Sequence, residues 1–204
     1  PNLVYLFASG NDLTSIDISN NIYLTDVYLN NNLITNIDVS KNRNLRNLML
    51  RHNYFDFNTL PLPKDKWKQY DYMQRNMAVA KSMKVGSTLD LTSRVIKEGY
   101  TTTCAVYMTN DANHSAFTQM GSDYYTYDNG KLTFLKETSD SVYVAFACDA
   151  YPAFTLQEIP LRTNKFMVKS EENYGKPDLA LTLVPTGTAN LTLGIGIYLS
   201  LIHF

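Results

Sequence analysis

Cysteine is scarce: two residues, Cys104 and Cys148, in a chain of 204 cannot staple a small scaffold, so the fold must rest on a buried apolar core. An excess of charge of one sign is also missing. Eighteen basic against nineteen acidic side chains leave a net charge of −1, which supplies no long-range field for a phosphate backbone or an anionic bilayer. Nucleic acid is therefore excluded as an expected partner. No apolar run reaches the roughly twenty residues that a membrane helix requires. The most apolar stretch, residues 191–204, is interrupted by Gly194 and Gly196, so no membrane insertion is expected. The chain opens Pro1-Asn2-Leu3 with neither an initiator Met nor a basic, apolar leader, and any export signal is expected to have been removed or to lie outside this chain.

Catalytic signatures are lacking too. His52, His114 and His203 are scattered, and none stands in an HExxH pattern or beside a cysteine pair at zinc spacing. There is no GxSxG elbow, no GxxxxGK phosphate loop and no GxGxxG turn. The sequence therefore implies no enzyme, no catalytic residue, no metal site and no cofactor. What is present is 45% hydrophobic and 18% charged side chains, with 15 Tyr and 9 Phe. That composition describes a folded, strand-rich chain.

Self-comparison of the first sixty residues reveals a period of 21. Asn11, Asn32 and Asn53 recur at that spacing, as do Leu3, Leu24 and Leu45, and Leu6, Val27 and Leu48. The template LxxLxLxxNxL reads as Leu24, Val27, Leu29, Asn32 and Ile34, with Ala8 replacing Leu in the first copy. The other half of each unit fits the same template at Leu13, Ile16, Ile18 and Asn21, and again at Ile34, Ile37, Val39 and Asn42. Each unit is thus two nested half-repeats. A coil of this kind turns Leu and Ile inward, while the Asn side chain satisfies backbone groups at the bend. Asn11, Asn32 and Asn53 are read as that structural ladder.

These motifs resemble the short, nested, internalin-like leucine-rich repeats of bacterial surface proteins over residues 3 to about 60. The resemblance implies a solenoid over residues 1–63, a location at the bacterial cell surface or in the secreted fraction, and a role in binding. Nothing precedes Leu3 as a cap, so the natural protein is expected to continue upstream with more coils. Downstream, Phe55, Phe57, Leu60, Pro61, Leu62, Pro63 and Trp67 read as a cap and junction over residues 64–76, with Trp67 buried at the joint.

Residues between the inward positions must face outward. One face therefore carries Tyr5 and Phe7, then Asp26 and Tyr28, then Asn47, Met49 and Arg51. The column Phe7, Tyr28, Met49 is the candidate centre of a partner contact, protein or glycan, with Tyr5, Asp26, Asn47 and Arg51 around it. Packing between neighbouring strands is the other reading of the same column. In the second half-repeats, Asp17 stacks with Asp38 on an expected opposite strand; too few oxygens surround them for calcium.

Beyond residue 76 the period stops, and short alternating runs appear between turn signals. Thr88–Thr92, Thr101–Met108, Tyr124–Tyr127, Lys131–Leu135, Val142–Cys148 and Phe166–Lys169 are the expected strands, and Asn129-Gly130 is a hairpin turn. Residues 77–170 resemble the immunoglobulin-like domains that follow leucine-rich repeats in bacterial surface proteins, through Val-Gly-Ser-Thr-Leu-Asp-Leu-Thr-Ser from Val85, Asn-Gly-Lys-Leu-Thr-Phe from Asn129 and Asp-Ala-Tyr-Pro from Asp149. Val106 stands where an antibody-type domain places Trp, and Tyr143 lies five residues before Cys148 rather than two. Cys104 and Cys148 share one parity, which leaves open either a disulfide or two buried thiols. Residues 171–204 read as a hairpin or the start of a further β-domain.

The fold class expected is thus mainly β: a short leucine-rich repeat solenoid followed by an immunoglobulin-like β-sandwich. Its expected function is recognition of a protein partner at the cell surface through the repeat face, with a glycan-binding accessory or a structural spacer as alternatives. Nothing in the sequence sets an oligomeric state.

Overall fold

The computed structural model describes residues 2–109, 116–156 and 158–175. The expected tail hairpin lies outside the described residues, as do His114 and His203. Strands β1 (Tyr5–Phe7), β2 (Asp26–Tyr28) and β3 (Asn47–Met49) stack in parallel at the 21-residue period, with Leu6 opposite Val27 and Val27 opposite Leu48. Val27 and Leu48 are fully buried, while Tyr5 and Phe7 point out. This is a β-solenoid of the leucine-rich-repeat type. The half-repeats opposite form turns rather than the expected strands, because Asp17 and Asp38 each accept a backbone N–H two residues on, from Ser19 at 2.9 Å and Ser40 at 2.8 Å. Those contacts hold both carboxyls below the usual carboxylate range. Both are already engaged by the turn backbone.

The asparagine ladder satisfies the opposite bend. Asn32 accepts the N–H of Leu13 (3.1 Å) and donates to Ala8 and Leu29 carbonyls, and Asn53 accepts the N–H of Ile34 (3.0 Å) and donates to Leu29 and Leu50 carbonyls. Both side chains are wholly buried. Asn11 makes only local bonds, to Ala8 and Ser9, and is exposed. Beside the ladder, Gly10, Asn31 and His52 repeat a left-handed φ (71°, 57° and 58°) at the same period, a conformation to which Gly and Asn are well suited.

A fourth coil follows where a junction was expected. Strand β4 (Gln69–Asp71) pairs in parallel with β3, Tyr70 opposite Leu48. Here the strand spacing is 22, so the residue at the ladder position follows the strand one place sooner. Gln74 occupies that position, 21 after Asn53, and its longer side chain makes the same set of bonds: it donates to Leu50 and Tyr72 carbonyls and accepts the N–H of Phe55.

The remaining strands are β5 (Ser82–Lys84), β6 (Thr88–Asp90), β7 (Thr102–Thr109), β8 (Phe117–Gln119), β9 (Tyr125–Asp128), β10 (Lys131–Phe134), β11 (Val142–Cys148), β12 (Leu161–Arg162) and β13 (Met167–Lys169), with one helical turn, α1 (Thr92–Val95), after β6. They form an antiparallel sheet β6-β10-β9, an antiparallel sheet β12-β11-β7-β8, and a parallel pair β13-β5. Leu132 and Phe134 from the first sheet share a core with Val106, Val144 and Phe146 from the second. The outer face of the second sheet carries a smaller buried cluster, Ala105, Tyr107, Tyr143 and Ala145, with Phe117 and Leu156 packed against them.

Cys104 and Cys148 are both free. The β7–β11 register sets Cys104 opposite Phe146 and Cys148 opposite Thr102, so the two are diagonal neighbours, and burial pushes the Cys104 thiol up to about 12. At Asn129-Gly130 both residues have positive φ, 42° and 88°, as a two-residue primed turn demands. A Cβ on Gly130 would lie 2.7 Å from Thr92 Cα. Gly130→Ala is therefore expected to cost roughly 1–3 kcal/mol, read as a lower urea midpoint together with lost amide protection along β9 and β10.

The solenoid and the sheets that follow share one apolar cluster running from Ile18 to Val168, and residues 1–174 form a single compact unit. At the joint, Tyr151 is wholly buried between Phe57 (5.7 Å between ring centroids) and Tyr72 (5.6 Å), and its hydroxyl donates to the Leu60 carbonyl at 2.7 Å. Tyr72 accepts the N–H of Ala153, Arg94 sits 3.6 Å from Asp56, and the Lys97 ammonium donates to Asn58 and Leu60 carbonyls. Trp67, expected to be the buried centre of this joint, is only half-buried, edge-on to Tyr70 and under the Lys64 ammonium. Phe55, Phe57 and Leu60 are buried as expected.

Candidate functional site

The outer face of the solenoid sheet collects all seven residues singled out for a partner contact. Strand register arranges six of them in two columns: Tyr5, Asp26, Asn47 and then Gln69; and Phe7, Tyr28, Met49 and then Asp71. Arg51 follows just beyond β3. Gln69 and Asp71 were not foreseen, because β4 lies outside the legible repeat.

Each column changes character along the stack. On the first strands, Phe7 is 71% and Tyr5 58% exposed. The Phe7 ring stacks on Tyr28 at 4.8 Å and 22°, and Tyr5 lies nearly parallel to Phe7, 15° apart at 6.4 Å. Packing along the stack thus covers part of Tyr28 and leaves Phe7 uncovered. Tyr28 and Met49 are half-buried.

On the later strands the polar side chains satisfy one another. Asn47 donates to one oxygen of Asp26 and Thr25 to the other, and these hydrogen bonds, Asn47 first, hold the Asp26 carboxyl below the usual range. Arg51 donates through Nε to Asp71 at 2.7 Å, while its own N–H is accepted by Asn30. An exposed pair of this sort contributes about 0–1 kcal/mol; its consequence is geometric, since Arg51 is held along the sheet.

The face therefore offers a rigid aromatic platform beside a fixed row of donors and acceptors. Flat rings with little rotamer freedom contribute contact area at low entropic cost. Among the described residues, no group of three His, Cys, Asp or Glu side chains converges on a metal-sized site.

No protein-family model matches the chain, and no curated protein does. Among solved structures, it is similar to one described as the functional domain of InlJ from Listeria monocytogenes, including a cysteine ladder, at 16% identity and a TM-score of 0.48, covering 82% of this chain and 34% of that one. The chain thus spans about a third of that structure's length. The solenoid assignment rests on the register of β1 to β4 and on the ladder bonds, not on this likeness.

Proposed function

We propose that the chain is the recognition part of a cell-surface or secreted bacterial protein, and that it binds a protein partner through the outer face of the repeat sheet. The observation that carries this reading is the stacked platform of Tyr5, Phe7 and Tyr28, of which Phe7 is 71% exposed. An apolar group of this size standing in water favours association, since covering it releases hydration free energy. Polar neighbours Asp26, Asn47 and Arg51, fixed by their own partners, supply a rim that specifies orientation. The sheets beyond residue 77, in this reading an immunoglobulin-like domain, cap the solenoid and space it from the envelope.

The near-parallel rings of Tyr5 and Phe7 favour a second reading, a glycan ligand whose sugar ring stacks on them. Binding of the labelled chain to intact cells, before and after protease treatment of their surface, tests the first. Loss of binding after protease is the result expected for a protein partner. Binding that survives protease and disappears on glycosidase treatment would transfer the face to the glycan reading, and no binding under any condition would favour a structural spacer.

A further inference from the structure

A second surface of the solenoid carries unbalanced charge. Residues 41–68 hold seven of the eighteen basic side chains but two of the nineteen acidic ones, Asp56 and Asp65. Arg51 belongs to the aromatic face, and the other six, Lys41, Arg43, Arg46, Lys64, Lys66 and Lys68, are all exposed. They lie on two adjacent coils, with Arg46 beside Lys68 and Arg43 beside Lys66. The Arg46 carbonyl accepts the Lys68 N–H at 2.7 Å, the Arg43 carbonyl accepts the Lys66 ammonium, and Lys41 and Lys64 both act on the Asp38 carboxyl.

Neighbouring coils stand about 4.8 Å apart, and like charges facing each other across such a stack repel. Among the described residues, none of the six is in an ion pair. Of the nearby acids, Asp17 and Asp38 accept turn backbone N–H groups and Asp26 is held by Asn47 and Thr25, while Asp65 is the one acid within residues 64–68. Beside Lys41 and Arg43 lies a shallow open groove of about 730 Å³, lined also by Ile22, Ser40 and Asn44. A second groove, of about 430 Å³, shares Asn44 and continues past Tyr23 and Arg46. Tyr23 is 52% and Ile22 47% exposed.

We propose that this ridge and its paired grooves bind an anionic polysaccharide, its carboxylate or sulfate groups meeting the six cations and its sugar rings lying against Tyr23 and Ile22. The site is distinct from the aromatic sheet face and does not depend on it. A chain of net charge −1 has a field confined to the patch, within the Debye length of about 8 Å at physiological salt. Such a field suits a polymer of intermittent charge lying in a groove better than the dense phosphate row of a nucleic acid, which the rest of the surface would repel.

The test is equilibrium binding of the whole chain to heparin, a sulfated uronic-acid polymer, with neutral dextran, inorganic polyphosphate and duplex DNA measured alongside. Heparin binding should weaken with salt and exceed binding to the other three. The triple variant Arg43→Gln, Arg46→Gln, Lys66→Gln should bind heparin about tenfold or more weakly at an unchanged melting temperature, with a salt slope smaller by about 2 for the three charges removed. Lys64→Gln with Lys68→Gln repeats the test from the other coil should the triple variant lose stability. Lys131→Gln with Lys136→Gln, which removes two cations paired to Asp90 and Asp123, should leave heparin binding unchanged. Heparin affinity unaltered in both ridge variants, or dextran bound as tightly, would overturn the site. Polyphosphate or DNA bound as tightly as heparin would overturn the polysaccharide assignment.

Discussion

Asn53→Ala is expected to destabilise the compact unit by about 3–6 kcal/mol, since three buried backbone groups, the Ile34 N–H and the Leu29 and Leu50 carbonyls, lose their partner at once, each costing about 1–3 kcal/mol when unsatisfied. Water cannot replace the side chain readily, because Asn53 is wholly buried. In a unit of this size the loss should lower the melting temperature by roughly 10 °C or more. Asn53→Asp should be no milder, as it keeps the acceptor but replaces the donating amide with a buried charge facing two carbonyls. Asn11→Ala supplies the contrast. Its side chain is exposed and bonds only to Ala8 and Ser9, so solvent can substitute and the cost should stay below about 1 kcal/mol. Urea midpoints of the two alanine variants, measured together, check the ladder. Equal and small effects would mean that the stacked Leu and Ile side chains alone hold the coils.

Tyr151→Ala should be the other severe substitution. It removes a ring wholly buried against Phe57, Tyr72 and Phe154, and truncation of a large aromatic in a core costs about 3–5 kcal/mol. Tyr151→Phe keeps the ring and loses the bond to the Leu60 carbonyl, about 1–2 kcal/mol. Burial also raises the Tyr151 phenol well above its ordinary range, and it raises Tyr70 and Tyr72 beside it. Folded tyrosines with raised pKa values hold their protons where unfolded ones release them. The stability they contribute is therefore fully present below about pH 10 and is lost as pH climbs beyond it. Alkaline unfolding followed by tyrosinate absorbance should begin just above that pH, and Tyr151→Phe should make the decline shallower. An unchanged alkaline limb in this variant would show that Tyr151 is not the group being titrated.

The joint built on Tyr151 was not legible in the sequence. Asp149-Ala-Tyr-Pro looks like a turn phrase, and nothing local says that its Tyr reaches the Phe57 and Leu60 carbonyls more than ninety residues upstream. Trp67 drew the expectation instead because it is the sole tryptophan, yet it sits at the side of the fourth coil against Tyr70. The first three coils were legible because each repeats the same inward and outward positions, so composition at a fixed period is equivalent to geometry. In the fourth, Tyr70 replaces Leu, and the strand shifts by one residue. Only Gln74, an amide 21 residues after Asn53, kept the signal.

The Asn129-Gly130 hairpin could be read because two adjacent positive φ values leave few residue choices. Pairing of β13 with β5 could not, since parallel partners 85 residues apart leave no local trace. The run expected as a strand through Thr92 stops at Asp90, whose carboxylate accepts the Thr92 N–H and turns the chain into α1. On the sheet face, strand register carries six of the seven candidate residues, and Arg51 follows just beyond β3. The difference between an uncovered Phe7 and a half-covered Tyr28 depends on ring stacking between coils, which parity does not carry.

In the function proposed above, the inner ladder holds the solenoid and the outer aromatic platform binds the partner. The most direct measurement is the double variant Phe7→Ala with Tyr28→Ala, assayed for both melting temperature and cell binding. A melting temperature within a few degrees of the parent chain and cell binding reduced tenfold or more is the predicted result, because Phe7 is 71% exposed and contributes little to the fold. Full cell binding by a variant that melts like the parent would contradict the account and remove the platform from the function.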